Sequence, residues 1–136
     1  MKTGRKESFI FMGQEPHYYK SKVMGLDPQH QTLHAKGEEC RAYVYAHKFV
    51  PILFDSDKSD KDTCTTLWIT KDQTIPKINV ISSYWDGNNP ELPNKLVESV
   101  TENNRLNNEM IIGMDSNAHT DLTGSVNTDA RGSKLE

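Results

Sequence analysis

The alternation of apolar and polar positions predicts a chain made mostly of β-strands. Runs rich in aromatic and β-branched residues, bounded by Gly, Pro, Asp or Asn, are typical of strands. Four such runs lie at residues 8–16, 40–54, 63–70 and 77–85. The first is expected to be a short buried strand that ends in a turn at Pro16, and Pro51 is expected to interrupt the second. Residues 17–39 show no sustained period, which predicts a loop.

Residues 90–106 have the spacing of a helix. Asn89 can cap this helix, and Pro90 can occupy its first position. Its apolar side chains recur on one face, as a single stripe. They are Leu92, Leu96, Val97 and Val100. The succession of strand, helix and strand over residues 77–115 predicts two neighbouring parallel strands.

Residues 109–115, EMIIGMD, form a continuous apolar run that is typical of a strand buried on both faces. Beyond Asp115 the pattern is that of a loop. The 136 residues suffice for one domain. Taken together, the elements predict a single α/β domain, an α+β sandwich of strands with one crossover helix.

The amino-acid composition excludes only a few classes of function. The net charge of −3 shows no excess of basic residues of the kind that a dedicated DNA-binding protein usually carries. It leaves a nuclease open, because a metal ion can supply positive charge at the reacting phosphate. The two cysteines form no disulfide framework. No run approaches the roughly 18 apolar residues of a membrane helix, and the N-terminus is not a signal peptide. We therefore expect an intracellular protein, nuclear or cytoplasmic, that is neither secreted nor bound to a membrane.

Polar side chains follow three of the predicted strands. They are Gln14 and Glu15, then Tyr84 to Asp86, then Asp115 to Asn117. Ligand sites of open α/β sheets lie beyond the carboxyl ends of strands, so these groups converge if the strands are neighbours. Carboxylate and amide oxygens are the ligands that Mg²⁺ prefers. The alternative is that each side chain only forms the turn that ends its strand.

The ordered set of these motifs resembles a known superfamily. It consists of QEP at residues 14–16 with Tyr18 and Tyr19 after it, SSYWD at 82–86, IIGMDSNAH at 111–119 and SVNTDARGSKLE at 125–136. This set is similar to the endonuclease/exonuclease/phosphatase superfamily. More narrowly, it resembles the apurinic-type endonuclease domain at the head of non-LTR retrotransposon reverse transcriptases, over nearly the whole chain from about Phe9.

The resemblance implies a fold, an activity and partners. The fold would be the DNase I-like two-sheet sandwich, of which this chain would hold about one half. The activity would be hydrolysis of phosphodiesters with Mg²⁺ or Mn²⁺, nicking DNA at an insertion site. DNA would be the substrate, and a reverse transcriptase domain would follow in a longer parent protein. A phosphatase of the same superfamily and a truncated, inactive remnant of the endonuclease remain as alternatives.

The resemblance also implies roles for single residues. Glu15 would bind the metal ion, and Asp115 would orient or deprotonate the attacking water. Asn117 would hold that water and the scissile phosphate, and Tyr84 would donate a hydrogen bond to the phosphate. Further substrate contacts could come from His119, Tyr18, Tyr19 and Arg131.

This sequence departs from the superfamily pattern at both ends. The superfamily has an earlier strand with a metal-site Asn, and an Asp-His pair on late strands. Neither is found in residues 1–136. We therefore expect residues 1–136 to form a partial domain with an incomplete active site, without the first strand and the C-terminal Asp-His segment.

Overall fold

The computed structural model describes residues 8–19, 22–36 and 39–116, which form two main β-sheets and one α-helix. In chain order the strands are β1 (Ile10–Gln14), β2 (Tyr18–Tyr19), β3 (Lys22–Val23), β4 (Gln31–Leu33), β5 (Ala42–Ala46), β6 (Ile52–Phe54), β7 (Thr63–Ile69), β8 (Lys77–Tyr84) and β9 (Glu109–Asp115). The helix α1 (Asn94–Leu106) lies between β8 and β9 in sequence. The described part of the chain contains no helix with the length and apolar character needed to cross a bilayer.

The first sheet has the strand order β1-β5-β4, and all of its pairs are antiparallel. The second has the order β6-β7-β8-β9, in which β8 and β9 are parallel. The predicted pair of parallel neighbours is therefore confirmed. Strands β2 and β3 form a separate two-stranded ribbon. Residues 17–39 thus contain three short strands, and the prediction of a loop there was wrong. Strands of two or three residues are too short to create a hydrophobic period.

The core lies between the two sheets. The run at residues 40–54 divides there, because Pro51 falls between β5 in the first sheet and β6 in the second. Small and β-branched side chains dominate the buried cluster, which brings the sheets close together. Its buried members are Ala42, Val44, Ala46, Val50, Ile52 and Cys64, with Ile10, Met12, Leu33, Phe54 and Trp68 packed against them.

The helix begins later than the sequence predicted. Its first residue is Asn94, and Pro93 stands at the N-cap without a side-chain hydrogen bond. The predicted cap, Asn89, instead accepts a hydrogen bond from the main-chain N–H of Glu91 (3.0 Å). Asn89 therefore forms a turn before the helix, a role that Asn fills as readily as a cap.

The buried face of α1 is more polar than predicted. Leu96 is buried as expected, but Val97 is 43% exposed, and Ser99 and Asn103 are buried instead. The hydroxyls of Ser99 and Thr65 are 3.0 Å apart. Asn103 accepts a hydrogen bond from an asparagine of β8 (2.9 Å). Because strand side chains supply these partners, polar groups can be buried there at little cost.

Two strands that the sequence predicted to be buried are buried only in part. Ile111 and Ile112 of β9 are 45% and 42% exposed, and Phe11 of β1 is 52% exposed. Both strands are outermost in the described sheets. An apolar run is buried only where another element covers it, and the run alone does not reveal which strand lies at an edge.

A glycine in β1 is covered by an aromatic ring of the neighbouring strand. Gly13 pairs with Tyr43, and a Cβ added to Gly13 would lie 2.2 Å from Cζ of that ring. We expect Gly13→Ala to lower the free energy of unfolding by about 1–2 kcal/mol, because the ring must leave its buried position. Urea denaturation measures this. Gly87→Ala is the control, since nothing lies within 4 Å of its added Cβ. Equal stability of the two variants would contradict the prediction.

Candidate active site

The ends of β8 and β9 lie side by side. Tyr84 pairs with Asp115 in the parallel register. The pairing continues one residue further, where the N–H of Trp85 donates to the carbonyl of Asp115 (2.9 Å). Tyr84 is buried and Asp115 is partly exposed. The two residues therefore lie side by side at the end of the second sheet where β8 and β9 terminate.

Hydrogen bonds of the Gln14 side chain hold the end of β1 beside the ends of β8 and β9. The side-chain amide donates to Oγ of Ser82 (2.8 Å) and to the carbonyl of Gly113 (3.3 Å). The Ser82 hydroxyl donates back to the carbonyl of Gly13 (2.8 Å). Ser82 and Gly113 stand shortly before the ends of β8 and β9, respectively. The residue after Gln14 is Glu15, so the structure brings all three predicted strand ends together.

Glu15 has an unusual backbone conformation. Its φ of +50° lies in the left-handed region, which costs a residue with a side chain about 1–2 kcal/mol. Its N–H donates to the carbonyl of Arg41 (2.8 Å), and its side chain is exposed. Such strain persists where the surrounding structure imposes it, and it is concentrated at functional sites.

Arg41 is a member of this site that the sequence did not reveal. Its guanidinium donates to both carboxylate oxygens of Asp62 (2.7 and 3.0 Å) and to Asp86 (2.8 Å). Its Cζ lies 4.8 Å from the centre of the Tyr84 ring. The hydrogen bonds to Asp62 raise the pKa of Arg41, against the opposing effect of burial. A single arginine before an aromatic strand forms no motif, and its partners are distant in sequence.

The predicted substrate contacts are placed only in part. The Tyr18 hydroxyl donates to the carbonyl of Cys40 (2.7 Å), and burial raises the pKa of this phenol to about 12. That hydroxyl thus fastens β2 to the segment before β5. Tyr19 lies in β2, and its side chain is outside the described part. The predicted loop beyond Asp115, with three of the candidate residues, also lies outside it from residue 117 onward. They are Asn117, His119 and Arg131.

The carboxylates at these strand ends are suitable ligands for a hard divalent cation. Mg²⁺ keeps several waters and is commonly held by only one or two protein carboxylates. The exposed carboxylate of Glu15 meets that requirement, and Asp115 stands on the neighbouring strand end. Within residues 8–19, 22–36 and 39–116, no group of three or more His, Cys, Asp or Glu could hold a metal ion.

The arrangement of the two sheets and the helix is the DNase I-like α/β sandwich that the family resemblance implied. Among solved structures, the chain is similar to the endonuclease domain of TRAS1, a telomere-specific non-LTR retrotransposon, with a TM-score of 0.66 and 19% identity. The match covers 93% of this chain and 54% of that one. The expectation that this chain corresponds to about one half of the fold is thereby confirmed. No protein-family model and no curated protein sequence matches the chain.

Proposed function

We propose that this chain forms the metal- and phosphate-binding part of a DNA-nicking phosphodiesterase, the endonuclease domain of a retrotransposon reverse transcriptase. The observation that carries the proposal is that the strand ends preceding or carrying Glu15, Tyr84 and Asp115 lie together at one end of the sandwich. Its likeness in fold to a retrotransposon endonuclease domain supports the same conclusion. The strained backbone of Glu15 adds to it, because a glutamate at a positive φ costs stability and such strain is concentrated at functional sites.

Each residue has a distinct task in this proposal. Glu15 would hold Mg²⁺ or Mn²⁺, which when bound would supply Lewis-acid stabilisation of the phosphoryl oxygens. Asp115 orients the attacking water and accepts its proton. Tyr84 donates a hydrogen bond from its hydroxyl to a phosphate oxygen, where negative charge develops. Asn117 holds the water and the scissile phosphate.

The remaining candidates are proposed contacts to the DNA strand. Tyr19 and His119 would contact a base or sugar, and Arg131 a phosphate. Tyr18 can contribute its ring, since its hydroxyl is bonded to the main chain. In a longer parent protein, a reverse transcriptase domain would act on the nicked end, and the protein would work in the nucleus or cytoplasm.

The proposal is tested by nicking of supercoiled plasmid with Mg²⁺ or Mn²⁺, and with EDTA. The full chain is expected to convert supercoiled plasmid to open circles only with metal. Glu15→Gln should abolish the conversion, because the neutral amide is a weak ligand for a hard cation. Glu109→Gln, at the opposite end of β9, is the matched control and should nick normally.

Three other outcomes would contradict the proposal. Nicking that is equal in the wild type and Glu15→Gln would come from another site. Release of phosphate from small phosphoesters without nicking would favour the phosphatase. Absence of both activities, with Mn²⁺ binding that depends on Glu15 in electron paramagnetic resonance, would favour the inactive remnant.

A further inference from the structure

The side chain of Arg41 closes a ring of contacts with Asp62 and Tyr84. The guanidinium binds the Asp62 carboxylate by two hydrogen bonds. The carbonyl of the same Asp62 accepts the main-chain N–H of Tyr84 (2.7 Å). The Tyr84 ring in turn lies 4.8 Å from the guanidinium carbon. Both the backbone and the ring of Tyr84 are therefore positioned by one arginine–aspartate pair.

The guanidinium of Arg41 makes ion pairs and a cation–π contact at the same time. Asp62 and Asp86 accept hydrogen bonds from its N–H groups, and its carbon lies over the Tyr84 ring. Three contacts fix the plane of the guanidinium, and the plane in turn restricts the Tyr84 ring. Lysine cannot do the same, because its ammonium is a point charge without a planar fork.

The main chain of Arg41 is hydrogen-bonded to Glu15, the proposed metal ligand. Its carbonyl accepts the N–H of Glu15 (2.8 Å), and its own N–H donates to the carbonyl of Lys61 (2.6 Å). These bonds hold Glu15 in its left-handed conformation. Because they involve only backbone atoms, they persist when the Arg41 side chain is replaced.

We infer that Arg41 is a positioning residue of the proposed active site, which aims the Tyr84 hydroxyl at the phosphate. This inference rests on the proposed function. The guanidinium also has a second task, since its single positive charge offsets one of the two negative charges of Asp62 and Asp86, which would otherwise repel the DNA phosphate more strongly. The two tasks have different kinetic consequences, because orientation affects turnover and charge affects substrate binding.

Arg41→Lys separates the two tasks. It keeps the positive charge and loses the fork and the planar face. We expect kcat for nicking to fall about tenfold or more while KM for plasmid stays unchanged. Arg41→Met loses both features, and we expect an approximately 100-fold fall in kcat together with a higher KM. Mn²⁺ affinity should be unchanged in both, because the bond from Glu15 to the Arg41 carbonyl remains. Arg105→Lys, on the exposed last turn of α1, is the control.

A second measurement does not require activity. The protein is labelled with 3-fluorotyrosine, and the ¹⁹F signal of Tyr84 is identified by its loss in Tyr84→Phe. Arg41→Lys should shift this signal, and Arg105→Lys should not. An unmoved Tyr84 signal, or full nicking activity in Arg41→Lys, overturns the inference. If the wild type fails to nick but the signal shifts, the proposed function fails while the positioning of Tyr84 by Arg41 stands.

Discussion

Glu15→Gly is expected to stabilise the protein and to abolish its metal-dependent nicking. Glycine adopts a φ of +50° without the steric cost that glutamate bears there. The Glu15 side chain is exposed, so its removal loses little packing. Glycine also gains freedom in the unfolded chain, which offsets part of the benefit. We expect the free energy of unfolding to rise by about 1 kcal/mol, as measured by urea denaturation, while plasmid nicking disappears.

Two further variants isolate the cause. Glu15→Ala removes the carboxylate but keeps the backbone strain, so it should lose nicking without gaining stability. Asn107→Gly relieves the same left-handed conformation (φ +57°) at the end of α1 and should gain stability while nicking normally. A loss of stability in Glu15→Gly would mean that folding itself requires the glutamate. Retained nicking would exclude Glu15 as a metal ligand.

The sequence predicted those parts of the fold that depend on local pattern. Apolar runs located the longer strands, and the succession of strand, helix and strand predicted the parallel pair β8–β9. The strand ends at Tyr84 and Asp115 could also be predicted to meet, because neighbouring parallel strands end on the same side of a sheet. These features share one property, which is that each can be read from neighbouring positions in the chain.

The features that the sequence missed depend on distant partners. Arg41 acquires its place from Asp62, Asp86 and Tyr84, which come from later segments of the chain. Ser99 of α1 is buried because Thr65 of β7 supplies a hydrogen bond. No local periodicity encodes such pairs. The exposure of β9 was missed for the same reason, since burial of an apolar run depends on what covers it.

Asp115→Asn is expected to slow nicking by about 10²- to 10⁴-fold, the usual cost of removing a general base. The asparagine side chain has the same shape but cannot accept a proton from water. The fold should be retained, because Asp115 is held to Trp85 through its carbonyl, which the substitution keeps. Mn²⁺ binding through Glu15 should also be retained. Nicking rates measured over a range of pH, with unfolding curves alongside, test this.

The control for Asp115→Asn is Glu109→Gln at the other end of the same strand. It makes the same change of charge in β9 without touching the candidate site. If only Asp115→Asn loses activity, the acid at the carboxyl end of the strand takes part in the chemistry. If Asp115→Asn nicks at the wild-type rate, Asp115 only forms the turn that ends β9. Equal losses in both variants would trace the effect to the net charge of the strand, because the two substitutions share nothing else.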